Sequence, residues 1–422
     1  MTVQVTMSRW LHPITGMIIN LVLGALYALS IFYKPIAGFY NLPVVAPLAL
    51  AFSLATFFFG VGMAIGGPLY DKRGPKIGVL LGAILVGLGY ITASFMEVFK
   101  DFGAASILYL VGLGVLGGLG IGFAYAVPGP VASKWFPDKT GTAIGVAVLG
   151  FGLGSAVVTP IANTLMMSFG AGDPVKGVFM TLRTLGILWF IILFVCALIL
   201  KNPPAGWKPQ GWKNPASASA VGATLKEALR DFKFYFLWLA YVFAAFAGLM
   251  VIGNAAPIVT EGLGKAGVSK EAIGGIIVIF LIIMAVFNGI GRPSWGTVLD
   301  KVGPWKSTTY NHLITFIILV PTASLFTLGP VALFALAAIV YFNYGGVLAL
   351  YPSATASFFG RRFLGRIYGV LFTAYGVAGL TGALVGGFIR DITGSYAFAM
   401  YTAAVLSLTA AIMAQVGARL KK

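Results

Sequence analysis

One arginine, Arg292, stands deep in a long apolar run, with Asn288 four residues before it and Pro293 directly after it. An ionisable side chain in hydrocarbon costs ~3 kcal/mol on insertion scales, so it needs a partner. The chain has eleven carboxylates: Asp71, Glu97, Asp101, Asp138, Asp173, Glu227, Asp231, Glu261, Glu271, Asp300 and Asp391. Each falls in a predicted loop or at a predicted helix end, and none is placed to neutralise Arg292. A guanidinium fork grips a carboxylate through two parallel hydrogen bonds and keeps its charge where a lysine could lose its proton. Two readings are open. Arg292 faces a wet cavity and binds an anion, or it bonds backbone carbonyls, helped by Pro293, which frees the carbonyl four residues back. The first is the functional reading, with the anion as the counter-ion that the chain lacks.

Asn288 lies one turn before Arg292 on the same helix face and can orient it or bond a substrate oxygen. Tyr27, Tyr125, Tyr344 and Tyr375, in predicted helices one, four, ten and eleven, could complete the cavity, with Phe and Leu side chains as apolar walls. The chain has seventeen tyrosines, so packing and interface belts account for most of them. Asn254 in helix seven has similar standing. Arg183 in helix six is a rival cation, although it can snorkel to the surface.

These residues must be positioned by helices in a membrane. The 422 residues are 59% hydrophobic and 9% charged, with mean hydropathy +0.96, whereas soluble domains carry about 25% charged residues. Twelve spans are predicted, near 12–34, 46–69, 77–97, 104–128, 141–164, 177–200, 232–256, 271–298, 308–328, 330–352, 365–389 and 395–417. Each is long enough to cross ~30 Å of hydrocarbon when modestly extended. Counted on alternate sides, twenty Lys and Arg fall with the termini and seven opposite, which puts both termini in the cytoplasm. Residues 1–200 are read as one six-helix half, 201–231 as a cytoplasmic linker and 232–422 as the second half.

Two repeats relate the halves. The pattern G-x-x-x-D-K-x-G-P occurs after helix two (Gly67, Asp71, Lys72, Gly74, Pro75, with Arg73 inside it). It recurs after helix eight (Gly296, Asp300, Lys301, Gly303, Pro304), 229 residues later. The start of helix five, Gly141-x-x-x-Gly145-Val146, matches that of helix eleven, Gly365-x-x-x-Gly369-Val370, at a spacing of 224. Two parallel six-helix repeats make the layout of the major facilitator fold, an all-α membrane fold with its binding site near the midplane between the halves. Asp71 and Asp300 then read as structural and gating residues, not proton carriers.

Other classes fit poorly. The +17 net charge sits in short loops, where it orients spans, so no nucleic-acid partner is expected. Gly112-x-Gly114-x-x-Gly117 matches a dinucleotide fingerprint as a string but lies inside an apolar run. Cys196 is alone, and His12 and His312 are too few and distant for a metal site. No cofactor is expected. The chain shows no buried acid or nucleophile–base pair of an enzyme, and no segment able to hold a receptor's signalling domain.

The runs GIGFAYAVPGPVASKWFPDKTGTAIGVAVLGFGLG (120–154), NGIGRPSWGTVLDKVGPWK (288–306) and YFNYGGVLALYPSATASFFG (341–360) resemble the oxalate/formate antiporter family. That family belongs to the major facilitator superfamily and is related to the monocarboxylate transporters. The resemblance spans nearly the whole chain. It implies that Arg292, in its N-G-x-x-R-P-x-W context, binds a substrate carboxylate, and that Tyr27, Tyr125 and Tyr344 line the site. Two departures stand out. The oxalate transporter carries a second cation, a lysine, in helix eleven, where FTAYGVAG places Tyr375 here. Proton-coupled animal relatives carry an aspartate where Asn288 stands.

One cation suits one carboxylate. The expectation is a secondary transporter of small monocarboxylates (lactate, pyruvate or formate) across the cytoplasmic membrane by alternating access. It would use protons or an exchanged anion as its partner, sit in the lipid bilayer and act as a monomer. The alternative is an oxalate or dicarboxylate–formate antiporter.

Overall fold

The structure is a computed structural model that describes residues 8–42, 46–204, 207–209 and 222–419. Among the described residues, eleven helices are long and apolar enough to cross a membrane. In chain order the first six are α1 (Leu11–Phe39), α2 (Pro47–Arg73), α3 (Pro75–Val98), α4 (Phe102–Trp135), α5 (Thr140–Phe169) and α6 (Pro174–Ile199). Next come α7 (Phe232–Ile252) and α8 (Lys270–Val302), then α9 (Pro304–Leu325). The last three are α10 (Pro330–Phe359), α11 (Leu364–Thr393) and α12 (Tyr396–Arg419). Each predicted span coincides with one of these helices. The exception by hydropathy is α9, whose first turns carry Lys306, Ser307, Thr308, Thr309, Asn311 and His312. All but Lys306 of these are buried against neighbouring helices, so α9 takes its place in the bundle through packing. Of the expected linker (201–231), residues 205–206 and 210–221 lie outside the described residues.

The elbow motif is built on one backbone solution used twice. Gly74 (φ +79°) and Gly303 (φ +85°) take a left-handed conformation that ends α2 and α8, which a Cβ would disfavour. Pro75 and Pro304 then open α3 and α9, where a missing N–H costs nothing. The face of the bundle holding these turns is called the elbow face below.

The two sequence repeats meet each other. Asp71 at the end of α2 reaches across to the start of α11, where its Oδ2 accepts from the backbone N–H of Arg366 at 2.9 Å and from its Nε at 3.3 Å. Asp300 at the end of α8 reaches the start of α5, accepting from Gly141 N–H at 2.7 Å and Thr142 N–H at 2.8 Å. Each carboxylate thus caps a helix N-terminus of the opposite half, where free N–H groups and the helix dipole favour negative charge. The helices touch backbone to backbone beside each cap. A Cβ on Gly67 would stand 1.9 Å from the Gly365 carbonyl oxygen, and one on Gly296 would stand 2.1 Å from that of Gly141. Arg361, between α10 and α11, adds a third crossing by donating to Pro137 O at 3.2 Å and Thr140 Oγ1 at 2.9 Å. Burial pushes its guanidinium pKa down, and the Asp300 and Asp138 charges oppose that shift. The elbow face is closed.

Candidate functional site

Arg292 and Asn288 project from the elbow half of α8. Arg292 is 0% exposed. Its Nη1 donates to the carbonyl of Val148 in α5 at 2.9 Å, and its Nη2 and Nε donate to Asn288 Oδ1 at 3.1 and 3.4 Å. These bonds engage three of its five donors, all with neutral acceptors. Among the described residues no carboxylate pairs with it. The expectation that Arg292 opens onto a wet cavity is therefore not met in this closed conformation, and the carbonyl reading is realised in altered form. The carbonyl comes from α5, not from the stretch of α8 that Pro293 frees. Gly145 of α5 allows the crossing at Pro293, since a Cβ on Gly145 would lie 2.5 Å from the Pro293 Cα. Asn288 holds the guanidinium as the one-turn spacing predicted.

All four expected tyrosines surround this arginine or the next layer of the site. Tyr125, in the Gly-rich α4, is buried with its hydroxyl lacking a hydrogen-bond partner, and it lies within electrostatic reach of Arg292. Tyr27 in α1 and Tyr375 in α11 join hydroxyl to hydroxyl at 2.9 Å across the two halves. Tyr344 in α10 is near both, its hydroxyl buried and unpartnered. Its ring is seated on Gly248 of α7, where a Cβ would come within 2.0 Å.

Three phenylalanines lie between these poles. Phe59 contacts Tyr125 (5.0 Å between centroids) and Tyr375 (5.6 Å). Phe151 contacts Tyr125 (5.5 Å) and Tyr27 (5.2 Å), and the Arg292 guanidinium sits 5.4 Å from its ring centre. Phe372 contacts Tyr125 (5.5 Å) and Tyr375 (4.9 Å). Phe59 and Phe151 belong to the first six helices and Phe372 to the last six, so the 4.6 Å contact of Phe59 with Phe372 spans the interface. The arrangement can hold a small anion by one end on a guanidinium and hydroxyls, wrap its body in aromatic carbon, and meet its other end with hydroxyls.

Sequence reasoning missed Tyr368 and Phe372, which share a face of α11 with Tyr375 at helical spacings of four and seven. That periodicity was available as a signal. Tyr241 and Tyr351, stacked at 4.1 Å from α7 and α10, carried none. Two other candidates fall outside. Arg183 pairs with Glu97 and donates to Ser94 Oγ at 3.1 Å. Asn254 lies two residues past the end of α7 and donates to Met250 O at 2.8 Å.

Comparison with known proteins agrees with this architecture. Residues 14–383 match the family model described as Major Facilitator Superfamily. The chain is 29% identical over 381 residues to the "Oxalate:formate antiporter" of Oxalobacter formigenes, covering 90% of this chain and 84% of that one. It is 24% identical over 387 residues to "Monocarboxylate transporter 12-B" of Danio rerio, covering 83% and 76%. Among solved structures it resembles the fucose:proton symporter of E. coli with a TM-score of 0.69 at 16% identity, over 98% of this chain and 100% of the other. A helical membrane bundle with crossed elbow motifs, matched along most of its length by that family model, belongs to the major facilitator superfamily.

Proposed function

We propose that this chain is a secondary transporter of small monocarboxylates of the lactate, pyruvate or formate type. Residues 1–200 and 232–422 are the two rocking halves, joined by 201–231, and the elbow face looks into the cytoplasm with both termini. The excess of Lys and Arg on that side supports the orientation. It works as a monomer in the cell membrane.

The observation that carries this reading is Arg292 itself: a fully buried guanidinium with only neutral acceptors, beside the unpartnered hydroxyl of Tyr125. A carboxylate would supply the charge that Val148 and Asn288 cannot, at the strength of a charge-assisted pair. Asn288 orients the clamp, Tyr125 bonds the carboxylate, and Tyr27, Tyr344 and Tyr375 shape the opposite pole. Gly67, Asp71, Arg73, Gly74, Gly296, Asp300 and Gly303 form the gate that opens and recloses on the cytoplasmic side. Once an anion neutralises Arg292 and displaces the Val148 carbonyl, α5 is released from α8 and the aromatic walls wrap the anion's apolar body at lower desolvation cost.

Similarity to the oxalate:formate antiporter favours a dicarboxylate as the second reading. The single buried cation favours a monocarboxylate. Uptake of labelled L-lactate into proteoliposomes, competed by unlabelled lactate, pyruvate, formate and oxalate, separates the two. Lactate uptake blocked best by monocarboxylates is expected. Uptake of oxalate without lactate would overturn the single-cation argument.

A further inference from the structure

The site has a titratable neighbour that the anion clamp does not use. His312, in α9, is 1% exposed. It lies nine residues after Gly303, and Arg292 lies eleven before it, so they stand about 13.5 and 16.5 Å along their helices from the elbow turn. Its Nε2 shares a hydrogen bond of 2.9 Å with the Tyr351 hydroxyl. The Tyr351 ring lies flat on that of Tyr241, with centroids 4.1 Å apart.

From Tyr241 a row of hydroxyls leads back to the clamp. The rings of Tyr241, Tyr368 and Tyr125 all meet that of Phe372, at 6.0, 5.6 and 5.5 Å between centroids, and each of the three hydroxyls is buried. Tyr125 in turn lies beside Arg292. A second approach runs through a small cavity lined by His312, Thr315, Ala247, Gly248, Tyr344 and Ser407. It joins the imidazole to the ring of a proposed site residue.

The titratable groups facing His312 are Tyr351 and Tyr344 from α10 and, behind Tyr351, Tyr241 from α7. The α12 side presents Ser407. All eleven carboxylates are described, and each sits at a helix end or in a connecting segment. His12, the other imidazole, stacks on Trp135 at the elbow face.

We propose that His312 is the proton-binding site of this transporter, coupled to the anion at Arg292 through the Tyr351–Tyr241–Tyr368–Tyr125 row. This rests on the monocarboxylate reading above. A proton on the ring makes both nitrogens donors, so Nε2 then donates to the Tyr351 hydroxyl, whose own proton points elsewhere. The imidazolium adds positive charge to a low-dielectric interior, which strengthens binding of an anion at Arg292. By linkage the anion strengthens proton binding equally. Proton and carboxylate then load together, although Asn288 occupies the position one turn before the arginine.

The test uses the whole chain in proteoliposomes, with L-lactate as probe. Lactate accumulation driven by a pH gradient is compared with lactate counterflow at equal pH, for wild type and His312→Gln. Counterflow and a monodisperse elution profile check that the variant folds. The ratio of gradient-driven to counterflow flux in His312→Gln should fall to the ratio measured without a gradient. A variant that keeps the wild-type ratio overturns the proposal, as does a wild type that exchanges lactate and ignores the gradient.

Imidazole NMR of the purified wild type gives an independent reading, with His312→Gln assigning the signal. The His312 resonance should titrate, and lactate should move its midpoint upward. A signal that does not titrate before acid unfolding overturns the proton site even where lactate is not carried. Absence of all lactate flux in wild type would instead count against the monocarboxylate reading.

Discussion

Arg292 Nη1 donates to the carbonyl of Val148 at 2.9 Å, so the buried charge of the last six helices is held by the backbone of the first six. The bond crosses the interface that must shear during alternating access. On the proposed reading, a substrate carboxylate would compete for the same guanidinium with a charge-assisted bond, roughly twice as strong as a neutral one. Substrate binding and the release of α5 from α8 are then one event. Distance measurements between spin labels on the elbow ends of α5 and α8 should show the separated population rising with lactate. A distribution indifferent to every carboxylate would contradict this coupling.

The crossed glycines give a conformational prediction. A side chain on Gly67 or Gly296 would strike a carbonyl oxygen at 1.9 or 2.1 Å, and backbone cannot move aside cheaply. Gly67→Val and Gly296→Val should hold the elbow face open. Single cysteines at Thr142 or Arg366 should then react several-fold faster with a membrane-impermeant maleimide in inside-out vesicles. Unchanged labelling rates would mean that the glycines do not set closure.

The Arg9–Asp138 pair provides a pH dependence outside the spans. Burial pushes the Asp138 carboxyl up, but hydrogen bonds and charge from Arg9 more than offset it, leaving the pKa below the ordinary carboxylate value. The bonds are 2.6 and 2.9 Å long. A depressed folded-state pKa means that the pair stabilises the protein above the unfolded value of about 3.9. That stability is lost as pH falls through the folded value. Asp138→Asn should lower the thermal midpoint at neutral pH, and the gap from wild type should close as the pH drops below about 4. A gap constant with pH would assign the effect to packing.

Gly248 seats Tyr344. A methyl there would lie 2.0 Å from the ring, so Gly248→Ala should displace Tyr344 at a stability cost of about 1–3 kcal/mol, the range for overpacking. It should also raise the KM for lactate several-fold. A KM equal to wild type would place Tyr344 outside the site.

Tyr375 tests selectivity. Tyr375→Lys would set an ammonium beside Tyr27, at the pole opposite Arg292. Competition by oxalate against lactate uptake should improve. An unchanged order of competitors would remove Tyr375 from the cavity lining.

Much of this was legible in the sequence because membrane constraints are severe. Spans follow from hydropathy. The isolation of Arg292 follows from the placement of eleven carboxylates, and both repeats were visible as strings. That the repeats interlock crosswise, Asp71 on α11 and Asp300 on α5, was not legible, because string similarity relates halves without stating what touches. The Val148 carbonyl escaped notice for a related reason: backbone acceptors have no sequence signature. In the sequence, His312 was weighed only as a metal ligand; its depth and its Tyr351 partner needed the packing of α9 on α10.

The central claim is that Arg292 is the anion clamp, and equilibrium binding of labelled L-lactate to purified wild type, Arg292→Lys and Arg292→Gln tests it most directly. Lysine keeps the charge and loses the fork. Its affinity should drop about 10- to 100-fold, the equivalent of the ~1.5–3 kcal/mol of a charge-assisted hydrogen bond. Glutamine should leave no saturable binding. Wild-type affinity in both folded variants would contradict the account.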